Sequence, residues 1–131
     1  MSARGRLRRA PSSVRRRALE LLHAADVAGS DPCGASVGEE DAVRALVEGV
    51  TGARTELDAE IRAFAANWKL ERMPVVDRNL LRIGIFELLH TDAPTGRVLD
   101  DAVSLAKLLS TEDSGRFVNG VLRAVARARR T

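Results

Sequence analysis

The stretch between Pro74 and Pro94 constrains the fold more than any other. Proline at 74 cannot continue a helix arriving from upstream, but it suits a first helical turn. After it, Val76, Leu80, Leu81, Ile83, Ile85, Phe86, Leu88 and Leu89 cover much more than one helical face, and Asp77, Arg78, Arg82 and Glu87 leave only a narrower polar surface. A helix this apolar must be surrounded by other elements. It is predicted to be the central helix of a bundle.

The rest of the chain supplies the surrounding helices. Ser12 or Ser13 can cap a helix whose buried stripe runs Val14, Ala18, Leu21, Leu22 and Ala25 and which Gly29 ends. Residues 29 to 38, GSDPCGASVG, have no periodic apolar face and read as a loop. A second stripe, Val43, Leu46, Val47 and Val50, starts near the acids Glu39 to Asp41 and continues through Leu57, Ile61, Phe64 and Trp68. Gly49 and Gly52 either interrupt that pattern or permit a close helix contact, so it is one helix or two. Past the turn at 91 to 96, Val98, Leu99, Ala102, Val103, Leu105, Ala106 and Leu109 form another amphipathic helix. A break at STEDSG precedes the last helix, which carries Phe117, Val118, Val121, Leu122 and Val125, with Arg116, Arg123, Arg127, Arg129 and Arg130 toward or beyond the exposed side. No segment alternates as a strand would. The expected fold is all-α, a compact bundle of five to six helices over residues 12 to 131, preceded by a basic arm at 1 to 11.

Aromatic residues are scarce: Phe64, Trp68, Phe86 and Phe117 are the whole set in 131 residues. Leu, Val and Ala must fill the interior, which suits packed helices. Cys33 is the only cysteine, so no intrachain disulfide and no cysteine cluster for a metal is available. No apolar run approaches the roughly 18 residues of a membrane span, and the basic opening lacks the apolar core of a signal peptide. A cytoplasmic protein with no membrane partner is expected.

Charge is segregated along the chain although the net value is only +3. The first 23 residues hold seven arginines against Glu20 alone, residues 24 to 66 hold three arginines against nine carboxylates, and the remainder returns to net positive. A basic end of this kind attracts a polyanion. Arginine engages phosphate bidentately and stacks on bases, which makes Arg4, Arg6, Arg8, Arg9, Arg15 and Arg16 candidate contacts for nucleic acid; the competing reading is a solvated tail.

Catalysis has little to build on. His23 and His90 are the only histidines, Cys33 has no local base, Asp100 and Asp101 point in different directions on a helix, and no phosphate-binding glycine loop is present. No catalytic residue, metal or cofactor is expected, and the protein reads as a non-enzyme. Phe117 either fills the core or stacks on an unpaired base beside Arg116. Asp113 either caps the last helix or orients a neighbouring donor.

Two long stretches, LERMPVVDRNLLRIGIFELLH at 70 to 90 and VLDDAVSLAKLLSTEDSGRFVNGVL at 98 to 122, resemble the NusB family of transcription antitermination factors. ALVEGV at 45 to 50 and ELDAEI at 56 to 61 fit the same pattern. The resemblance implies a NusB-like helical protein that binds boxA-type single-stranded RNA of ribosomal RNA leader transcripts together with ribosomal protein S10, within an antitermination assembly on RNA polymerase. Carried over by motif, the RNA surface comprises the amino-terminal arginines, Arg15 and Arg16 above all, with Asp113, Arg116 and Phe117 of EDSGRF. Asp77 of VVDR falls where the family presents an acid to S10. The chain departs from the family at Pro11 to Ser13, which replace a charged run, and at the short segment 27 to 40, where an additional helix is common. A similar helical domain precedes the catalytic domain of certain ribosomal RNA cytosine methyltransferases. An accessory role in rRNA methylation is therefore the alternative, and a divergent protein-binding paralogue a further one.

Overall fold

In the computed structural model, which describes residues 12–65 and 67–130, all regular structure is helical. The helices are α1 (Ser13–Ala28), α2 (Pro32–Ala35), α3 (Asp41–Gly52), α4 (Arg54–Phe64), α5 (Val75–His90), α6 (Thr95–Leu109) and α7 (Glu112–Arg129), with one turn of 3-10 helix at Leu70–Arg72. The expected basic arm at 1 to 11, with Arg4, Arg6, Arg8 and Arg9, lies outside the described residues. Among the described residues no helix is long and apolar enough to cross a membrane.

The described helices number seven rather than five or six for local reasons. Inside the supposed loop, Asp31 accepts a hydrogen bond from the Cys33 amide at 2.9 Å and Pro32 occupies the first helical position, enough to close the single turn of α2. The second stripe is two helices, parted at Ala53, where ψ opens to 11°. The STEDSG break is shorter than it reads. Thr111 Oγ1 accepts from the Ser114 amide at 3.0 Å, and Glu112 and Asp113 stand in the first turn, where they complement the free amides, so EDSG opens α7. At α1 the cap is Ser12, and Gly29 ends the helix with φ at 68°.

Helix α5 sits at the centre, as its apolar circumference requires. Leu81 and Ile85 are wholly buried, and α1, α4, α6 and α7 all pack on it. Gly49 of α3 lies against the Phe86 ring so closely that a Cβ there would come within 2.3 Å of the ring's Cζ. The polar residues of α5 do not form a surface. Asp77, Arg82 and Glu87 are all buried, each joined to a different set of neighbours. Asp77 meets Ser114 of α7; Arg82 meets Asp26 of α1 and Asp58 of α4; Glu87 meets Arg15 of α1. Burying a charge is tolerated only when it is paired and hydrogen-bonded. These pairings orient the surrounding helices on the central one.

Candidate nucleic-acid interface

Three of the chain's four aromatic side chains gather at one open groove on the surface. Phe64 at the end of α4, Trp68 in the following turn and Phe117 in α7 line it together with Asn67, Arg116 and Gly120, around a volume of about 600 Å³. Trp68 lies outside any helix, 37% exposed, and meets Phe117 edge to face with ring centroids 4.6 Å apart and planes at 63°. The expectation that Trp68 continues the α4 stripe is corrected: α4 stops at Phe64, and the turn carries the indole out to Phe117. Phe117 packs on the core and leaves part of its ring in the groove. Arg129 places its guanidinium 5.7 Å from the Phe64 ring centre while Glu60 accepts two hydrogen bonds from it, at 3.0 and 2.9 Å.

The helix that carries Phe117 also carries exposed positive charge. Arg116, Arg123 and Arg127 are exposed on α7, and Arg123 and Arg127 have no ion pair among the described residues. Arg116 pairs with Asp113 one turn back, and both remain mostly in solvent. Asp113 therefore attends Arg116 rather than capping the helix, a task taken by Thr111. Arg130 does not belong to this surface. Its guanidinium donates to the carbonyls of Leu88, Ala93, Glu87 and Thr91 and so closes the carboxyl end of α5. A second shallow furrow runs between α6 and α7, past Asp100, Ser104, Lys107, Arg116 and Asn119.

The two α1 arginines part company. Arg16 is half exposed, with Glu20 3.6 Å away. Arg15 points inward and is held by Glu87 at 2.7 and 2.9 Å and by Asp101 at 2.6 Å. Asp101 also accepts from the Ser12 amide at 3.0 Å, so the residue that caps α1 is fixed to α6. Asp100, the preceding residue on α6, faces the furrow beside Arg116. The structure thus brings Asp113, Arg116 and Phe117 together, leaves Arg16 on a separate exposed face, and turns Arg15 into the interior.

Asp77, expected on a partner-facing surface, is 0% exposed. The correction has a plain cause: the amino ends of α5 and α7 meet, and Ser114 Oγ donates to Asp77 Oδ2 at 2.8 Å. Sequence reasoning missed Trp68 and Asn67 as groove residues. Their only signal was position, immediately after a helix whose periodic stripe had run out. Among the described residues no group of three or more His, Cys, Asp or Glu is placed to hold a metal.

Fold and groove define a class: an all-helical domain with an open aromatic groove, edged by arginine, on its last helix. Within that class the chain belongs to the NusB family, whose model matches residues 12–127. The transcription antitermination protein NusB of Acidothermus cellulolyticus is 48% identical over 126 residues, covering 88% of this chain and 86% of the relative. Among solved structures, NusB of T. maritima superposes with a TM-score of 0.79 at 29% identity, over 89% of this chain and 92% of that one. Antitermination factors NusB and NusE in complex with dsRNA give a TM-score of 0.75 at 31% identity, over 88% and 94%.

Proposed function

We propose that this protein is a cytoplasmic, non-catalytic antitermination factor that holds boxA-type single-stranded RNA across the α7 face while a second surface holds ribosomal protein S10. The observation that carries the reading is the gathering of Phe64, Trp68 and Phe117 at one groove beside Arg116 in a chain with four aromatics. A base has a π face that an exposed ring can take, and arginine beside it meets the phosphate. Arg123 and Arg127 extend the charge along the helix, Arg16 and the arginines at 4, 6, 8 and 9 add to encounter, and Arg15 acts by anchoring α1. Asp113 restrains Arg116 at the groove edge.

The S10 face is assigned beside the amino end of α5. There Leu108 and Leu109 are 58% and 39% exposed, and Leu109 shares a hollow with Val76 and His23. The two adjacent leucines and Val76 form a small apolar patch that a protein partner can cover. One rigid bundle carrying both surfaces favours a ternary complex, which then joins the antitermination assembly on RNA polymerase.

The test is a titration of the purified protein with boxA-containing RNA and with a scrambled RNA of equal length, each with and without S10. Selective binding that S10 strengthens is expected. Weak binding indifferent to sequence and to S10 would refute the reading.

A further inference from the structure

The amino ends of α5 and α7 meet at a buried polar cluster that the RNA surface itself does not use. Asp77 is the third residue of α5 and is fully buried; Ser114 is the third residue of α7 and is 5% exposed. Ser114 Oγ donates to Asp77 Oδ2 at 2.8 Å, and the hydroxyls of Ser110 and Thr111 stand 2.9 and 3.1 Å from the same Ser114 oxygen. Asp77 Oδ1 is buried without a hydrogen-bond partner among the described residues. A carboxylate kept in the interior with half its acceptor capacity unused is costly, and an apolar residue would pack there without that cost. Ser114 also sits between the residues that face RNA: Asp113 precedes it, and Arg116 and Phe117 follow within one turn. Gly115, also buried, lies against the Lys107 stem, so α7 enters the bundle with little room to slide.

From this juxtaposition we infer that Asp77 is a positioning residue for RNA binding: through the Ser114 hydroxyl it sets the rotation and axial register of the first turn of α7, and so fixes where Arg116 and the Phe117 ring stand relative to Trp68. The inference rests on the RNA reading of the α7 groove. It gives Asp77 a role from inside the bundle in place of one on its surface. Without the Asp77 bond the first turn of α7 is held by its Thr111 cap and by Gly115 against the flexible Lys107 stem, contacts that resist sliding better than rotation. The Asp77 bond ties that start to the central helix, and Phe117 lies less than one turn further on.

Trp68 is the only tryptophan and touches Phe117, so its emission reports the groove's geometry without RNA. The experiment compares full-length wild type with Ser114→Ala, Asp77→Ala, the double variant and Asp77→Asn, checked for helical content by circular dichroism. What decides is that Ser114→Ala and Asp77→Ala each change Trp68 emission in free protein and weaken boxA RNA binding by about tenfold, the scale of one misplaced stacking contact. The double variant should be no worse than either single one, because both remove the same bond. Asp77→Asn, which keeps an acceptor oxygen, should restore most of the affinity. Folded single variants with wild-type emission and RNA affinity would overturn the inference, and so would an Asp77→Ala defect, in RNA or in S10 binding, that Ser114→Ala does not share. If wild type itself ignores RNA, the functional reading falls, while the emission change still tests whether Asp77 positions the groove.

Discussion

Arg15 on α1 and Glu87 on α5, 72 residues apart in sequence, are joined by two parallel hydrogen bonds, Nε to Oε1 at 2.7 Å and Nη2 to Oε2 at 2.9 Å. Burial works against the Arg15 charge, yet the bonds to Glu87 and Asp101 hold its guanidinium above its usual range. The arginine run of α1 thus divides between an interior fixture and a surface charge.

Replacing the two arginines separately should show that division. Arg15→Ala leaves the carboxylates of Glu87 and Asp101 buried without their main partner, and denaturant unfolding should register a loss of about 3 kcal/mol. Arg16→Ala, at an exposed position, should stay within about 0.5 kcal/mol of wild type. In RNA titrations across salt concentrations only Arg16→Ala should flatten the salt slope while the fold is intact. Equal stability losses from the two variants would count against this assignment.

The second joint between helices is built on Asp26. Arg82 donates to Asp58 at 2.8 and 3.2 Å and to Asp26 at 3.1 Å, and Asn79 donates to Asp26 at 3.1 Å. Burial opposes ionisation of Asp26, but the Asn79 hydrogen bond and the charges of Arg82, Arg54 and Arg78 outweigh it and hold the carboxyl below its ordinary 3.8. A carboxyl whose pKa falls on folding adds stability above its unfolded value, and loses that contribution as pH drops through the folded one. Asp26→Asn should therefore cost about 2 kcal/mol at neutral pH. The gap from wild type should close as pH falls below about 3.8. A gap that widens in acid would show the sign to be wrong.

Gly49 and Gly52 stand three residues apart on α3 and should respond in opposite ways. A methyl at 49 collides with Phe86, whose ring is wedged against the core, whereas one at 52 meets nothing within 4 Å. Gly49→Ala should lower the unfolding free energy by about 1 to 3 kcal/mol through overpacking. Gly52→Ala should be neutral or raise it by up to about 1 kcal/mol, the helix-propensity gain. Melting curves of the two variants side by side are sufficient.

The fold was legible wherever one residue type admits one local conformation. Pro74, Gly29 and the Ser12 cap placed helix ends to within a residue, and the apolar circumference of α5 put it at the centre. What escaped were facts of tertiary pairing. Nothing in the local pattern of VVDRNLLRIGIFELL says that Asp77, Arg82 and Glu87 face inward, because their partners Ser114, Asp26, Asp58 and Arg15 lie on other helices. The same limit applies to the groove. Phe117 and Arg116 were readable from their place in EDSGRF, but Trp68 joined them only because α4 ends at Phe64 and the chain turns back toward α7.

That turn makes the aromatic pair the sharpest test of the surface. Phe117→Leu keeps most of the ring's contact with the core and removes its π face, so thermal stability should fall by only about 1 kcal/mol. RNA affinity should fall further, by about 1 to 3 kcal/mol, if one base stacks there. Trp68→Leu should weaken RNA binding in the same direction, and because the two rings pack edge to face, centroids 4.6 Å apart, their losses should not add in the double variant. A Phe117→Leu protein that melts far earlier yet binds RNA as wild type does would assign the ring to the core and move the RNA surface elsewhere on α7.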